Sequence, residues 1–507
     1  MNNPLYDNLF GVHSTNDDTF LYLINGQTIT YRNFLANSRR IANTLVDLGL
    51  KPGDCVAIQV EKSPEMLNIY AACAQAGLIY LPLNPTYTMD EITYFIEDSG
   101  SQLIICDERN KEELEIITQK LDVKIETLNS NSTGSIIDKS NYSIEHFDTV
   151  PRSNDDLAAL LYTSGTTGKS KGAMLTQTNL LSNGNTLMDA WKFNKDDTLL
   201  HALPLFHTHG LFVATNVALA SGASMIFLPH FDLDNIINYL PKASTMMGVP
   251  TFYTRLLADK RFNRRLVSHV RLFVSGSAPL LSETHVHFEK LTGHKILERY
   301  GMTETNMNTS NPYNGERRAG TVGLPLPGVE VKITEQKTGE TLSTNEIGQI
   351  EVRGPNVFKG YWKLPDKTKA ELRDNGFFIT GDLGKIDEDG YIHIVGRDKD
   401  LIISGGYNIY PKELEVFLDN KLGVLESAVI GVPHPDFGET PIALIVSSKD
   451  AVPDLTEIEN DIKKSIARYK HPKKIIIIDE LPRNAMGKVQ KNVLRNFYNS
   501  VFIDEIF

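Results

Sequence analysis

Short apolar runs recur along the first four hundred residues, each too brief for a helix and most followed by a segment with helical spacing. Residues 56–60 (VAIQV), 102–107 (QLIICD), 157–162 (LAALLY), 224–229 (SMIFLP) and 270–277 (VRLFVSGS) read as buried strands, and 175–192 reads as a helix. Alternation of this kind favours a layered α/β architecture with largely parallel sheets. The pattern changes near residues 390–406, where the alternating YIHIV predicts a strand of an antiparallel hairpin. Further on, Ile458, Ile462, Ile466 and Tyr469 share one face of a predicted helix whose other face is charged, and KKIIIIDELP follows as a strand. These signals predict a large N-terminal domain of layered α/β sheets over 1–396 and a smaller C-terminal α+β domain over 397–507. The hinge is expected near Arg397–Asp400.

Composition narrows the function classes. The chain has 507 residues, 41% hydrophobic and 22% charged, which is ordinary for a globular protein with room for more than one core. A net charge of −12 argues against broad nucleic-acid binding, which needs a basic face. It leaves open a local site for small anions. Cys55, Cys73 and Cys106 have neither disulfide-framework nor zinc-site spacing and are expected as buried, inert thiols. The N-terminus lacks a basic segment followed by an apolar core, so no secretory signal is expected. The most apolar long stretch, 211–228, is interrupted by Thr215, Asn216, Ser221, Gly222 and Ser224, too often for a membrane span. A cytoplasmic protein is the expectation.

The densest chemical signal is YTSGTTGKSKG at 162–172. Gly165, Gly168 and Gly172 allow a tight turn that brings backbone N–H groups near an anion. Ser164, Thr166 and Thr167 add hydroxyl donors, and Lys171 adds charge. Only two residues separate Gly165 from Gly168-Lys169-Ser170, whereas the common nucleotide loop has four. The stretch therefore reads as a phosphate loop, between a strand and a helix, that is not of that common kind.

Five stretches in fixed order resemble the adenylate-forming enzymes, which include acyl-CoA synthetases, luciferases and peptide-synthetase adenylation domains. They are YTSGTTGKSKG, ERYGMTET (298–305), FFITGDLGKID (377–387), GRDKDLIISGGYNIYPKELE (396–415) and LPRNAMGKVQK (481–491). The resemblance covers most of the chain from residue 156 onward. It is closest to members that activate malonate, through ALPLFHTHGLF, MGVPTFYTRLL, SGSAPLL and ERYGMTETNMNTSNPY. It implies a two-step reaction with ATP, Mg²⁺ and coenzyme A: an acid displaces diphosphate from ATP, the small domain rotates, and the thiol of coenzyme A then displaces AMP.

Residue roles follow from that resemblance. Thr163, Ser164, Gly165, Thr166, Thr167, Gly168 and Lys171 are expected around the ATP phosphates, with Gly276, Ser277, Ala278, Pro279 and Tyr300 at the adenine. Glu298, Gly301, Met302 and Thr303 flank the same nucleotide, and Asp382 and Arg397 are expected at the ribose hydroxyls. Lys488 is expected to bridge the acid and the α-phosphate, where a placed ammonium stabilises developing charge. Glu304, with Thr167, is expected to hold Mg²⁺, a hard cation that takes oxygen ligands; a helix-capping role for Glu304 is the alternative. His207 is expected as a gate near the acyl site, since no carboxylate or cysteine cluster turns His207 and His209 into a metal pair. Lys399 occupies the hinge, and Gly405 and Gly406 are expected to let backbone approach coenzyme A.

The choice of acid is expected to rest on Arg255, with His209 and Ser277 completing a polar pocket walled by Met302 and Met307. An inward guanidinium is a costly unpaired charge unless the substrate supplies a second carboxylate, which its fork would accept in two bonds. Pairing of Arg255 with Asp259, four residues on, is the competing arrangement. A ligase for another short or medium acid, with Arg255 turned outward, and a module acylating a carrier protein are the alternative functions. Lys488, Glu304 and Asp382 together argue against a non-catalytic nucleotide binder.

Overall fold

The computed structural model describes residues 3–163, 170–404, 407–434, 437–448, 451–466, 468–484 and 487–502. Two large sheets carry most of the chain up to residue 361. In one, Ser224–Phe227, Thr198–His201, Thr245–Gly248, Leu272–Ser275 and Leu297–Met302 lie side by side, all parallel. In the other, Ile79–Pro82, Cys55–Gln59, Leu103–Cys106 and Lys124–Thr127 are parallel neighbours, and Leu157–Thr163 joins beside Ile79–Pro82. Parallel strands need crossover helices that cover both faces, so the strands can be apolar throughout. Every residue of Thr245–Gly248 and Leu272–Ser275 is accordingly buried. The crossover helix Pro64–Ala76 shows the local logic: Ser63 caps its N-terminus through the Met66 N–H, and Gly77 ends it at φ +71°. Parallel strands also point their C-terminal ends one way, which gathers the loops after His201, Gly248 and Ser275 at one edge.

One expected local arrangement is corrected. The glycine-rich stretch does not run from a strand into a helix. A further strand, Lys171–Thr176, pairs antiparallel with Leu157–Thr163, placing Tyr162 opposite Gly172 and Thr163 opposite Lys171. The helix Gln177–Ala190 begins only after Thr176, whose side chain caps it. Tyr162, Thr163, Lys171 and Gly172 of the stretch are thus strand residues, because LAALLYT and KGAMLT are both apolar enough to be largely buried strands.

A four-stranded antiparallel sheet follows, containing Gly348–Arg353, Phe378–Ile386 and Ile392–Arg397; the alternating YIHIV falls in its last hairpin. From residue 402 the chain builds a separate five-stranded sheet with its own cores, one holding Ile402, Leu414, Leu418, Ile458 and Ile462. The architecture is the expected α/β fold with a smaller α+β part. The helix carrying Ile458 and Ile462 ends at Ser465, however. Ile466 is already extended, and Tyr469 sits in a separate turn, Arg468–Lys470, where it is exposed. The three cysteines are buried and unpaired. No described helix is long and apolar enough to cross a membrane.

Candidate active site

The strand Leu297–Met302 brings the site together, because successive side chains point to opposite faces. The Tyr300 hydroxyl donates to Asp382 Oδ2 at 2.6 Å, and Arg397 Nε lies 2.9 Å from Asp382 Oδ1. Asp382 and Arg397 face each other across a strand pair, and Gln349 donates to the Asp382 carbonyl at 3.0 Å. Burial, and then the Asp382 charge, push the Tyr300 phenol well above its usual range, so it remains a donor. Both Asp382 oxygens are thereby engaged in a buried, charge-assisted set.

Beyond Met302 the chain turns into the antiparallel strand Asn306–Ser310, so Glu304 lies in a hairpin turn and caps no helix. Its carboxylate is buried, and Oε1 faces the Thr163 hydroxyl at 3.4 Å and the Tyr361 hydroxyl at 3.1 Å. The same Tyr361 hydroxyl lies 2.8 Å from Glu371 Oε2. A phenol has one proton to donate, so Tyr361 can serve one carboxylate at a time. Lys171 Nζ lies 3.9 Å from Glu371 Oε2 and 4.1 Å from the centre of the Tyr361 ring. Burial raises the Glu304 pKa, opposed by hydrogen bonds and by the Lys171 and Arg397 charges. Tyr361 and Glu371 were not anticipated. Tyr361 stands 57 residues from Glu304, and no sequence spacing links them.

Lys488 reaches the same place from the other end of the chain. Its turn is closed by Asn484, whose Oδ1 accepts from the Lys488 N–H at 3.0 Å and whose N–H donates to the Lys488 carbonyl at 3.0 Å. Gly487, at φ +73°, lies against Thr251; a Cβ there would stand 3.5 Å from the threonine side chain. Burial pulls the Lys488 pKa down to about 8, helped by Arg397 and opposed by Asp382. His207 is pulled down to about 4, by burial first and then by Arg299 and Lys488. Lysine, histidine and the Asp382–Arg397 pair therefore share one electrostatic neighbourhood.

Arg255 does not take the inward position expected of it. On the helix Pro250–Leu257, Phe252, Tyr253 and Leu256 take the buried face, which leaves Arg255 exposed with its guanidinium 5.6 Å from the Phe231 ring centre. Asp259 is taken by Arg261 at 2.7 Å, so the competing pairing does not form either. Arg299 is buried instead, between the two residues singled out on its strand, and its Nε and one terminal nitrogen have no hydrogen-bond partner among the described residues. Burial lowers its pKa to about 9, so it still carries charge at neutral pH. Gly276 makes room for it: a Cβ there would stand 2.3 Å from the guanidinium carbon. Next to Gly276, Ser277 adopts φ +72°, a strained left-handed conformation, and its hydroxyl lies 3.2 Å from His209 Nδ1. His209 is buried and its Nε2 has no partner among the described residues; burial first, and then the Arg299 charge, hold its pKa well below normal. The readable signal was an arginine inside a buried strand.

The remaining expected residues divide. Glu298 accepts the Leu280 N–H at 3.2 Å, and burial pushes its pKa up to about 8. It thus braces the loop carrying Ala278 and Pro279. Gly301 is pressed against its hairpin, since a Cβ would meet the Asn306 carbonyl oxygen at 1.9 Å. Met302 and Thr303 are half-buried at the turn, and Met307 is buried. Lys399 is exposed in the turn Asp398–Asp400. Ser164, Gly165, Thr166, Thr167, Gly168, Gly405 and Gly406 lie outside the described residues. Among the described residues no group of three or more His, Cys, Asp or Glu could hold a metal ion alone.

Comparison with known proteins identifies the family. Residues 11–362 match the model of the AMP-binding enzyme, and residues 413–488 match the AMP-binding enzyme C-terminal domain. The chain belongs to the AMP-binding enzyme family. It is 35% identical over 480 residues to a malonate–CoA ligase of Arabidopsis thaliana, covering 88% of this chain and 78% of that one. It is 34% identical over 508 residues to a long-chain-fatty-acid–CoA ligase of Bacillus subtilis, covering 92% and 90%. ATP-bound MatB from Rhodopseudomonas palustris is 53% identical, with a TM-score of 0.97 over 99% of this chain and 100% of that one. The apo structure of the same protein, at the same identity and coverage, gives a TM-score of 0.86. At equal identity, this chain superposes more fully on the ATP-bound structure than on the apo one.

Gly276→Ala should drive a methyl group into the Arg299 guanidinium. Misplacing such a group by about 1 Å costs on the order of a hundredfold in rate. The expected result is a fall of that size in kcat/KM for the acid. Unaltered acid kinetics would show that the close packing of Gly276 on Arg299 has no functional consequence.

Proposed function

We propose that this chain is a malonate–CoA ligase, forming malonyl-CoA, AMP and diphosphate from malonate, ATP and coenzyme A through malonyl-adenylate. The observation that carries the acid assignment is Arg299, a buried guanidinium without a hydrogen-bond partner on two of its nitrogens among the described residues. A buried unpaired charge is strongly unfavourable, and a substrate with a second carboxylate relieves it through a bidentate contact. An alkyl acid leaves the charge bare, so the pocket rejects as well as selects. Ser277 and His209 supply further polar contacts, and Met302 and Met307 close the walls. The malonate–CoA ligase of Arabidopsis supports the reading, while the long-chain ligase of Bacillus marks the breadth of acids handled across the family.

In the first step one malonate carboxylate oxygen attacks the α-phosphorus of ATP, and the bond to the bridging oxygen breaks to release diphosphate. Lys488 lies where that charge develops and stabilises it. His207, neutral above about pH 4, adds a hydrogen-bonding wall without another charge. Asp382, oriented by Tyr300 and Arg397, accepts the ribose hydroxyls. Glu304 fits a cation-binding role: Mg²⁺ held there would neutralise phosphate oxygens, and Tyr361 and Thr163 fix the carboxylate through Oε1. Thr163 and Lys171 bound the phosphate loop, and Ser277 with the loop 276–279 borders the adenine. In the second step the thiol sulfur of coenzyme A attacks the acyl carbon and AMP leaves. We place the division between the two domains at 396/397, with Lys399 as the pivot of the rotation between steps and Gly405 and Gly406 beside coenzyme A.

Arg299→Met should lower kcat/KM for malonate by about thirtyfold or more, since truncating one partner of a buried charge pair costs about 2–5 kcal/mol. Relative activity on propionate or butyrate should rise. Equal kinetics on malonate in the two proteins would remove the assignment. Lys488→Ala should abolish ATP–diphosphate exchange yet spare thioester formation from preformed malonyl-adenylate; equal loss of both contradicts its role. Lys488 acts in the protonated form, and its pKa in the free enzyme is lowered to about 8. The kcat/KM of adenylation should therefore hold below that pH and fall as pH rises through it. A profile flat to pH 10 would exclude the lysine as the titrating group.

A further inference from the structure

Behind the acyl pocket lies a buried network that none of the steps above uses. His201, at the end of the strand Thr198–His201, is 1% exposed. Lys62 Nζ lies 2.8 Å from His201 Nδ1 and donates to the His201 carbonyl at 2.9 Å. It also sits 4.3 Å from the centre of the Phe227 ring, and no carboxylate pairs with it among the described residues. On the far side of the imidazole, Nε2 is 2.9 Å from the Gly210 carbonyl, which also accepts from the Thr215 hydroxyl at 2.9 Å. The donor chemistry sets the tautomer. Nδ1 accepts from the lysine, so Nε2 carries the proton and donates to Gly210.

Gly210 belongs to a π-helix, His209–Thr215, a wide turn of the kind found at functional sites. The turn is packed as tightly as backbone allows: a Cβ on Gly210 would stand 2.0 Å from the Pro204 carbonyl oxygen. Its first residue is His209, which faces Ser277 beside Arg299. A shift of the Gly210 carbonyl is a shift of His209.

We propose that Lys62 and His201 are positioning residues for acid selection: the Lys62–His201–Gly210 chain locks the π-helix so that His209 is held against Ser277 at the depth a short dicarboxylate requires. Neither residue touches the substrate. The inference rests on the reading of Arg299 as the anchor of the second carboxylate. Burial pushes the pKa of both Lys62 and His201 well down, which keeps the imidazole neutral, and the contacts at 2.8 Å and 2.9 Å on its two nitrogens make the chain a hydrogen-bonded strut.

The two nitrogens of His201 can be separated by substitution. His201→Gln places an amide donor near the Nε2 position and can still hold Gly210. His201→Asn places its polar atoms near Nδ1, keeps a partner for Lys62 and releases Gly210. The readout is the ratio of kcat/KM for malonate to that for propionate, with KM for ATP and the thermal midpoint measured alongside. His201→Asn should lower the ratio by about tenfold or more, the scale on which a small change in pocket shape acts. His201→Gln should stay close to the parent, and neither variant should move KM for ATP more than about twofold. Lys62→Met, which keeps the apolar stem over Phe227, should shift the ratio in the same direction as His201→Asn. A merely structural role would lower the thermal midpoint in both His201 variants and leave both ratios alone, and that result overturns the proposal. Arg299→Met is run in parallel. If it leaves the ratio unchanged while the His201 variants separate as stated, the anchor reading falls and the positioning role stands. If Arg299→Met collapses the ratio and the His201 variants match the parent, the anchor stands and the positioning role falls.

Discussion

A guanidinium shut away without a carboxylate is the constraint around which the site is arranged. Bringing such a charge out of water costs several kcal/mol even after the surroundings relax, and nothing among the described residues pairs with the free nitrogens of Arg299. The fold tolerates it because the strand Leu297–Met302 is buried between others in a rigid sheet, and because Gly276 leaves the guanidinium a flat bed of backbone. The left-handed Ser277 stores further strain at the same spot. An anionic ligand that meets the guanidinium recovers part of that cost on binding, so stability withheld from the empty fold becomes affinity for one class of acid.

The same reasoning orders the protonation states. Burial keeps His207 and His209 neutral at physiological pH, keeps Tyr300 a donor and leaves Arg299 positive. Lys171, Arg397 and Lys488 bring further positive charge, against which the cavity sets mainly Asp382, Glu304 and Glu371. The negative charge the site lacks is what a nucleoside triphosphate and a dicarboxylate bring. A net charge of −12 over the whole chain is no obstacle, because these cations act at close range among buried groups.

Much of the scaffold could be read from the chain, and for a definite reason. Strands such as Leu103–Cys106 and Leu272–Ser275 are apolar throughout because both faces of their sheets are covered, so periodicity alone reveals them. Asp382, Arg397, Glu304 and Lys488 sit in motifs whose order is itself information, and the fold brings them to one place. What failed was direction. Arg255 and Arg299 are each an arginine in an apolar setting, and only the phase of the helix Pro250–Leu257 against the packed core shows that the first faces out. Helical phase is decided by tertiary contacts with Phe231 and the neighbouring strands, which no local pattern encodes. Tyr361, Glu371, Lys62 and His201 were missed for a related cause: their partners lie tens to more than a hundred residues away.

The two-step chemistry also depends on how Lys488 is carried. Its turn is tied by Asn484 and by an ion pair between Arg483 and Glu426, while Lys491 pairs with Glu415 a few residues on. All of these partners belong to the part of the chain beyond residue 402, with its own sheet and cores. The lysine is therefore fixed to the small sheet as a rigid projection and touches the large part mainly through Gly487 at Thr251 and through its charge. Arg495 pairs with Asp400 in the connecting turn, which couples the last helix of the small part to the segment about which it would pivot. A site built in this way cannot adapt to its second reaction by moving one side chain. Moving Lys488 means moving the whole unit to which its turn is tied.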